Sequence, residues 1–457
     1  MPATPPSPAG LPSARTRRCP MPEIQEPHSP LHGLRVLELT QIVAGPSCGR
    51  ILGEMGAEIF KIEPLDGDPY RNTFNVIPDE GKRFQSLNLS KKSVSINLQH
   101  PEGQKLIQRL AKDADVLLTN FRFGVPERLG FGYDTLKEIN PRLIYARVTG
   151  FGSKTESASK PAGDVMMQAY AGLTVNGGKL NEDGLPILAV NTIADYAAGM
   201  GCALGILGAL IARQTTGRGQ IVDASLLRGS LVLQDTAVMR EPVYDKVIRD
   251  PLVAKMQEVL GRGGSFTELL QVRAGATRGG FNPASAIFNG PRQAKDGVVM
   301  LGALTPANRE AARRSLEVTG EEIASISDAS LPGHEERLAK MKQRIADLFR
   351  TKTCAEWVAI LDREGCPSAQ VNIPEMMSED PIVKAEGHMV DLVHGVTGPQ
   401  RVVGPLVDLS ETPTRHQHAA TSLGEYTRRV LVGSGLTDAD VDRLIAEGVV
   451  KEYVRQT

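Results

Sequence analysis

Asp195 stands just before a small, apolar segment, and its position could allow it to do chemistry. The segment from Ala197 to Leu210 is apolar on all sides, which predicts a buried helix. In the first turn of such a helix, the free backbone N–H groups and the positive end of the helix dipole favour a negative charge. We therefore expect an ionised carboxylate that is held in a fixed direction. The alternative is that Asp195 only caps the helix, which is a common use of Asp.

Basic, amide and aromatic side chains are expected near the ends of several predicted strands. They are Arg71, Lys91, Asn120, Phe121, Arg122 and Arg128. Cationic side chains bind phosphate, and an aromatic ring can stack on a base. These residues therefore indicate a phosphate-bearing ligand with a stackable ring. A solvated basic rim is the alternative.

Short β runs alternate with helices from Leu34 onward. The order is LRVLEL, SCGRILGEMGA, EIFKIE, SVSINL, PEGQKLIQRLAKDA and DVLLTN. This rhythm predicts an α/β fold, with a large Rossmann-like parallel sheet and helices on both faces. Ligands of such sheets bind at the carboxyl ends of the strands. The first loop, residues 41–49, lacks the GxGxxG fingerprint, which disfavours a nicotinamide dinucleotide site.

Length and composition limit the classes of protein that remain. The chain has 457 residues, 41% of them hydrophobic and 23% charged, and a net charge of −1. Two domains are expected, and nothing in the overall charge would recruit nucleic acid or an acidic membrane. The five scattered cysteines form no CxxC pair, so we expect no disulfide framework, no metal site and a cytoplasmic setting. The apolar run before Arg213 is predicted to be too short to span a bilayer.

The pattern changes twice along the chain. Residues 1–30 are rich in proline and lack hydrophobic periodicity, which predicts a disordered tail. After Gly229 the sequence becomes mixed. Residues 296–303 are typical of a strand, and the apolar spacing from Glu335 to Arg363 is typical of amphipathic helices on a small sheet. We therefore expect a smaller α+β domain in this part.

Several segments resemble the class III CoA-transferases, a family that includes formyl-CoA:oxalate and carnitine CoA-transferases and is related to α-methylacyl-CoA racemase. The matching segments are residues 34–71, 88–107, 114–152, GDVMMQAYAGL at 163–173, 194–227 and LGEYT at 423–427. The resemblance implies that residues 31–228 form the N-terminal part of a large CoA-binding domain and that 229–375 form a linker and the small domain. It also implies that 376–457 return to complete the large domain, and that two chains form an interlocked dimer.

The resemblance also implies roles for individual residues. Asp195 matches the catalytic aspartate, and the expected CoA contacts are Val43, Ala44, Ile96, Asn97, Leu98, Gln99, Asn120, Phe121, Arg122, Arg128, Lys160 and Asp164. Pro64 stands where some members have a phosphate-binding arginine, so Arg71 or Lys91 would have to supply that charge. Gly279 and Gly280 are the expected residues of a lid over the aspartate.

The implied reaction moves CoA between two acids, and CoA takes part as acyl-CoA co-substrate without a metal. An aspartate can form a mixed anhydride and then an aspartyl-CoA thioester, both as activated as the substrate. We expect succinyl-CoA as donor and a small carboxylic acid, with dicarboxylates as one class, as acceptor.

Two other functions remain open. An acyl-CoA racemase needs a second base, and related racemases have a His where this chain has Gly163. The chain could instead be a non-catalytic acyl-CoA-binding subunit of a hetero-oligomer, although it retains Asp195. Otherwise a homodimer is expected.

Overall fold

The structure, a computed structural model, describes residues 28–278 and 287–454. Most of the predicted tail, residues 1–27, lies outside the described residues, as do 279–286 and 455–457.

The described strands form one large sheet and two small ones. They are β1 Arg35–Leu39, β2 Glu58–Glu63, β3 Lys91–Ile96, β4 Val116–Thr119, β5 Ile144–Thr149, β6 Ile221–Ser225, β7 Asn289–Gln293, β8 Val298–Gly302, β9 Ser368–Gln370, β10 Met389–His394, β11 Gly398–Val403 and β12 Val450–Lys451.

The described helices surround these sheets. They are α1 Ala44–Glu54, α2 Lys82–Leu87, α3 Pro101–Ala111, α4 Val125–Arg128, α5 Tyr133–Ile139, α6 Asp164–Tyr170, α7 Leu173–Gly177, α8 Ile193–Thr216, α9 Leu226–Val232, α10 Asp235–Val238, α11 Pro242–Tyr244, α12 Asp250–Gly261, α13 Phe266–Arg278, α14 Pro306–Ser315, α15 Gly320–Ser327, α16 His334–Phe349, α17 Cys354–Glu364, α18 Pro381–Ala385, α19 Thr427–Gly433 and α20 Asp438–Ala446.

The large sheet has the strand order β12-β3-β2-β1-β4-β5-β6. Strands β1 to β6 are parallel, and β12, from the C-terminal part of the chain, pairs antiparallel with β3. Val36 in β1 lies opposite Ile59 in β2 and Val116 in β4. The predicted α/β fold with a large parallel sheet is therefore confirmed.

Helices cover both faces of this sheet, because successive side chains of a strand point to opposite faces. In β1, Val36 packs in one core with α1 and α8, while Leu37 packs in a second core with α3, α5, α19 and α20. The central strands are buried on both faces, and the charged side chains among them, such as Glu38, Lys61 and Glu63, are buried as well and form ion pairs.

Helix α8 is the longest helix of the part that the structure describes, and it begins two residues before Asp195. Its 24 residues, with a window of mean hydropathy 1.5, reach the length and composition of a membrane span, contrary to our prediction, but half of that window is buried inside the protein. One face packs in the core through Cys202, Ile206 and Ala209. The opposite face leaves Leu204 and Ile211 exposed.

Helix α8 lies very close to α1, and a glycine permits this. A Cβ atom at Gly199 would lie 2.1 Å from Ser47 Oγ and 2.5 Å from the carbonyl oxygen of Ala44. Only a residue without a side chain fits between these helices, so Gly199 sets the distance between the two elements that begin at the site.

A third core lies outside the large sheet. Strands β7, β8 and β9 form an antiparallel sheet that packs with α14–α17 around buried Trp357. The side chains of this core lie between Ile287 and Cys366, whereas the cores of the large sheet draw on residues 31–226 and 430–450. The boundaries after residues 228 and 375 stay predictions.

Candidate functional site

The strand order of the large sheet reverses between β1 and β4, and the site lies at that point. The chain continues from β1 towards β2 on one side and from β4 towards β5 on the other, so the two following loops separate and leave a crevice. Asn120 joins the loops at its base. Its Oδ1 accepts a hydrogen bond from the Gln41 amide at 3.0 Å, and its Nδ2 donates to the Gln41 carbonyl at 2.8 Å.

Two clefts open along the carboxyl ends of the strands. The inner cleft, of about 640 Å³, contains Asp195, and the outer cleft, of about 860 Å³, follows the ends of β2 and β3. Gln41, Phe121 and Val125 line both clefts. The shared wall makes them neighbouring parts of one groove that reaches Asp195.

Most of the predicted site residues line this groove. The inner cleft contains Val43, Ala44, Asn120, Phe121, Arg122, Lys160, Asp164 and Asp195. The outer cleft contains Ile96, Asn97, Leu98, Gln99, Phe121 and Arg128. Gly279 and Gly280, the predicted lid, lie outside the described residues.

Three exposed cations of the groove are available to a ligand. Arg122, Arg128 and Lys160 form no ion pair with any carboxylate in the described ranges 28–278 and 287–454. A surface cation without a protein partner can bind phosphate without breaking an existing contact. Together with Phe121, which lines both clefts, they fit a phosphate-bearing ligand.

Arg71 and Lys91 are not in the groove, and this contradicts our expectation that either contacts phosphate. Arg71 is fully buried and its guanidinium donates to both carboxylate oxygens of Glu63, at 2.7 and 2.8 Å. Burial raises the pKa of Glu63, but Arg71 outweighs it and the pKa falls to about 2. Lys91 is equally buried and bonds Glu38 Oε1 at 2.9 Å.

The carboxylate of Asp195 lies in the first turn of α8, as predicted, but its environment differs from the prediction. It is only 8% exposed, and no group of the described residues donates a hydrogen bond to its oxygens. Burial, followed by the negative charge of Asp164, raises the pKa of Asp195 from 3.8 to about 7. The helix terminus therefore does not keep this acid fully ionised at neutral pH, contrary to our expectation.

Asp164 occupies the backbone amides that could otherwise bind the Asp195 carboxylate. Its Oδ1 accepts from the backbone amides of Ala194 at 2.8 Å and Asp195 at 3.3 Å, and its Oδ2 accepts from the Thr192 amide at 3.2 Å. The amides at the start of α8 are thus bonded by another helix. Asp164 makes no capping hydrogen bond in its own helix α6, whose N-cap residue is Gly163.

Sequence reasoning missed several groups of the inner cleft. Gln41, Tyr70 and Asn191 line it, and so do two residues with left-handed backbone, Ile42 at φ 72° and Thr192 at φ 58°. Such values are rare for β-branched residues. The Ile42 amide points to Asp68, whose Oδ2 lies 3.1 Å from the buried ammonium of Lys61. A left-handed β-branched residue leaves no signal in sequence.

The residues described between 28 and 278 and between 287 and 454 contain no group of three His, Cys, Asp or Glu side chains that could hold a metal.

The fold and the groove define an α/β protein whose ligand site lies at the switch point of a parallel sheet and ends at a buried carboxylate. A sequence profile described as CoA-transferase family III matches residues 31–427, and the chain belongs to this family. It is an enzyme of the CoA-transferase class, and the family uses CoA as co-substrate.

Curated relatives agree with this placement, and a solved structure shares the fold. The chain is 30% identical to a formyl-CoA:oxalate CoA-transferase of Rhodopseudomonas palustris over 92% of this chain and 96% of that protein. It is 29% identical to an acyl-CoA transferase of Fusarium pseudograminearum, over 92% of this chain and 88% of that protein. A CAIB/BAIF family protein from Brucella suis superimposes with a TM-score of 0.67 at 23% identity, over 89% of this chain and 100% of that one.

Proposed function

We propose that the protein transfers CoA from an acyl-CoA donor, with succinyl-CoA as the first choice, to a small carboxylic acid, through covalent intermediates on Asp195. The observation that carries the proposal is the Asp195 carboxylate, which faces a cleft and accepts no hydrogen bond from the described residues. A carboxylate without donors keeps its electron pairs for attack on a carbonyl carbon.

Each step of the proposed cycle exchanges one carboxylate or thiolate for another. Asp195 attacks the acyl carbon of the donor, the C–S bond breaks, and CoA leaves as thiolate. The thiolate attacks the Asp195 carbonyl, which releases the donor acid and leaves an aspartyl-CoA thioester. The acceptor carboxylate then displaces CoA to form a second anhydride. CoA thiolate attacks the acceptor acyl carbon, which yields the new acyl-CoA and restores Asp195. No step requires a proton.

The groove suits a long ligand that carries several phosphates as well as a thioester. Arg128 lies in the outer cleft, while Arg122 and Lys160 lie in the same inner cleft as Asp195. We propose that these three cations hold the phosphates of CoA. Asn97 and Gln99, at the end of β3, add polar groups in the outer cleft. Dicarboxylates remain one proposed class of acceptor.

An acyl-CoA racemase is the second candidate, and one observation favours it. A carboxyl group with a pKa of about 7 suits proton transfer near neutral pH. The reaction also needs a partner acid, but Asp164, the other carboxylate of the inner cleft, already accepts four hydrogen bonds. Transfer therefore fits the described groups better.

The proposal extends to assembly and location. We propose a homodimer, since the exposed Leu204 and Ile211 of α8, at 70% and 66% exposure, would be covered by a second chain. A hetero-oligomer with a homologous subunit is the alternative, and light scattering of the purified chain tests it. We propose a cytoplasmic location, in keeping with four buried cysteines that are free thiols: Cys48, Cys202, Cys354 and Cys366.

The test is a mass-spectrometric screen of succinyl-CoA, acetyl-CoA and formyl-CoA against mono- and dicarboxylic acids. We expect the purified chain alone to form a new acyl-CoA, which would also exclude a non-catalytic subunit. Asp195→Asn should abolish transfer, while Asp183→Asn, an exposed loop aspartate, serves as the matched control. Deuterium incorporation at the α carbon of a 2-methylacyl-CoA without transfer would favour the racemase instead.

A further inference from the structure

The buried carboxylate of Asp164 contacts the start of α8, the helix that carries Asp195. We propose that Asp164 is a positioning residue for Asp195: it binds the first amides of α8, keeps the Asp195 carboxylate free of hydrogen bonds, and repels its negative charge. The effect on catalysis rests on the proposed function, whereas the effect on the Asp195 carboxyl group does not.

Helix α8 lacks a cap of its own. Thr192, at the N-cap position, has left-handed backbone, and its hydroxyl donates to the Asn191 carbonyl at 2.7 Å instead of accepting from the helix. The first amides of a helix need an acceptor. Asp164 supplies it from α6, 31 positions before Asp195 in the chain.

The same amides would otherwise be available to Asp195 itself. An acidic residue in the first turn commonly folds back onto the N-terminal amides of its own helix. Here Asp164 already accepts from the amides of Thr192, Ala194 and Asp195. The side chain of Asp195 is therefore free to face the cleft, and its own amide is fixed by Asp164.

Gln168 is a further, uncharged hydrogen-bond partner of Asp164. Its Nε2 donates to Asp164 Oδ2 at 2.6 Å and to the Val190 carbonyl at 2.7 Å, while its Oε1 accepts from the Ala189 amide at 3.2 Å. Gln168 is fully buried. It thus ties α6 to the segment before α8 without adding charge, which makes it the natural control for Asp164.

The charge of Asp164 has a consequence for reactivity. With four N–H groups directed at it, Asp164 acts only as an acceptor, as an ionised carboxylate does. It repels the free carboxylate of Asp195, and this agrees with the raised pKa of Asp195. When Asp195 bonds to the acyl carbon and CoA leaves with the electron pair of the C–S bond, Asp195 becomes neutral and the repulsion ends. A repulsion that is present in the ground state and lost in the transition state lowers the barrier to acyl transfer.

The experiment measures the carboxyl group directly as well as the reaction. The titration of Asp195 is followed by ¹³C NMR of protein labelled at aspartate Cγ, with Asp195→Asn used to assign the signal. It is recorded for the wild type, Asp164→Asn and Gln168→Leu, together with the pH dependence of kcat and KM. If Asp164→Asn does not fold, Asp164→Ser, which keeps an acceptor without the charge, replaces it.

For Asp164→Asn we expect the Asp195 midpoint to fall by about one pH unit, kcat to fall about tenfold or more, and KM to change little. Gln168→Leu should lower stability but leave the midpoint raised. An unchanged midpoint in Asp164→Asn, or an equal fall in Gln168→Leu, would overturn the proposal. If the wild type transfers no CoA but Asp164→Asn still lowers the midpoint, the proposed function fails and the positioning role stands.

Discussion

Replacing Gly199 with alanine should disturb both the stability and the activity of the protein. The new Cβ would lie 2.5 Å from the backbone oxygen of Ala44 and 2.1 Å from Ser47 Oγ. The hydroxyl can rotate away, but the backbone oxygen can move only with α1. Relief of this overlap needs a shift of about 1 Å between the two helices, and such overpacking costs about 1–3 kcal/mol.

The shift would also change the site, because α1 begins at Ala44 in the cleft and Asp195 lies one turn before Gly199. A displacement of this size can lower kcat/KM about 10- to 100-fold. Urea denaturation and the transfer assay measure the two effects. The matched control is Gly201→Ala in the same helix, where nothing lies within 4 Å of the new Cβ and a gain of about 0.5–1 kcal/mol is expected. Wild-type stability and activity in Gly199→Ala would refute the reasoning.

Three other substitutions distinguish residues that bind the ligand from residues that stabilise the fold. The pKa of Asp195 rises from 3.8 in the unfolded chain to about 7 in the folded one, so the folded state binds more protons in this interval and stability falls as the pH rises through it. At pH 8, the free energy of unfolding of Asp195→Asn, measured by urea denaturation, should therefore exceed that of the wild type by about 1–3 kcal/mol. Equal or lower stability of the variant would contradict this. Arg128→Gln should weaken CoA binding about 5- to 30-fold in calorimetry, with less salt dependence and unchanged stability. Arg71→Gln should instead destabilise the fold by about 3–5 kcal/mol, since it removes the bidentate cationic partner of the buried Glu63 carboxylate; a change in CoA affinity alone would contradict the structure.

The sequence predicted the elements whose signals are local. Short β runs predicted strands β1 to β4, and their alternation with helices predicted a parallel sheet, whereas the antiparallel β12 was not predicted. Since ligands bind where parallel strands end, the sequence alone predicts that residues such as Asn120 and Arg128 lie near the groove.

The features that the sequence did not predict depend on the direction in which a side chain points and on contacts between residues far apart in the chain. Charge alone does not tell whether an arginine faces solvent or a buried acid, and Arg71 faces Glu63. The bond from Asp164 to α8 joins residues about 30 positions apart, so no local pattern reveals it. The first-turn position of Asp195 suggested an ionised acid, but its amides are bound elsewhere and its pKa is raised.

The central claim is that Asp195 becomes acylated and then binds CoA covalently. The most direct measurement is rapid quenching of the enzyme with acyl-CoA, reaction with hydroxylamine, and peptide mass mapping. The account predicts a hydroxamate at residue 195 that appears only with acyl-CoA and is absent from Asp195→Asn. Full transfer activity without any modification at Asp195, or modification at another residue, would contradict it.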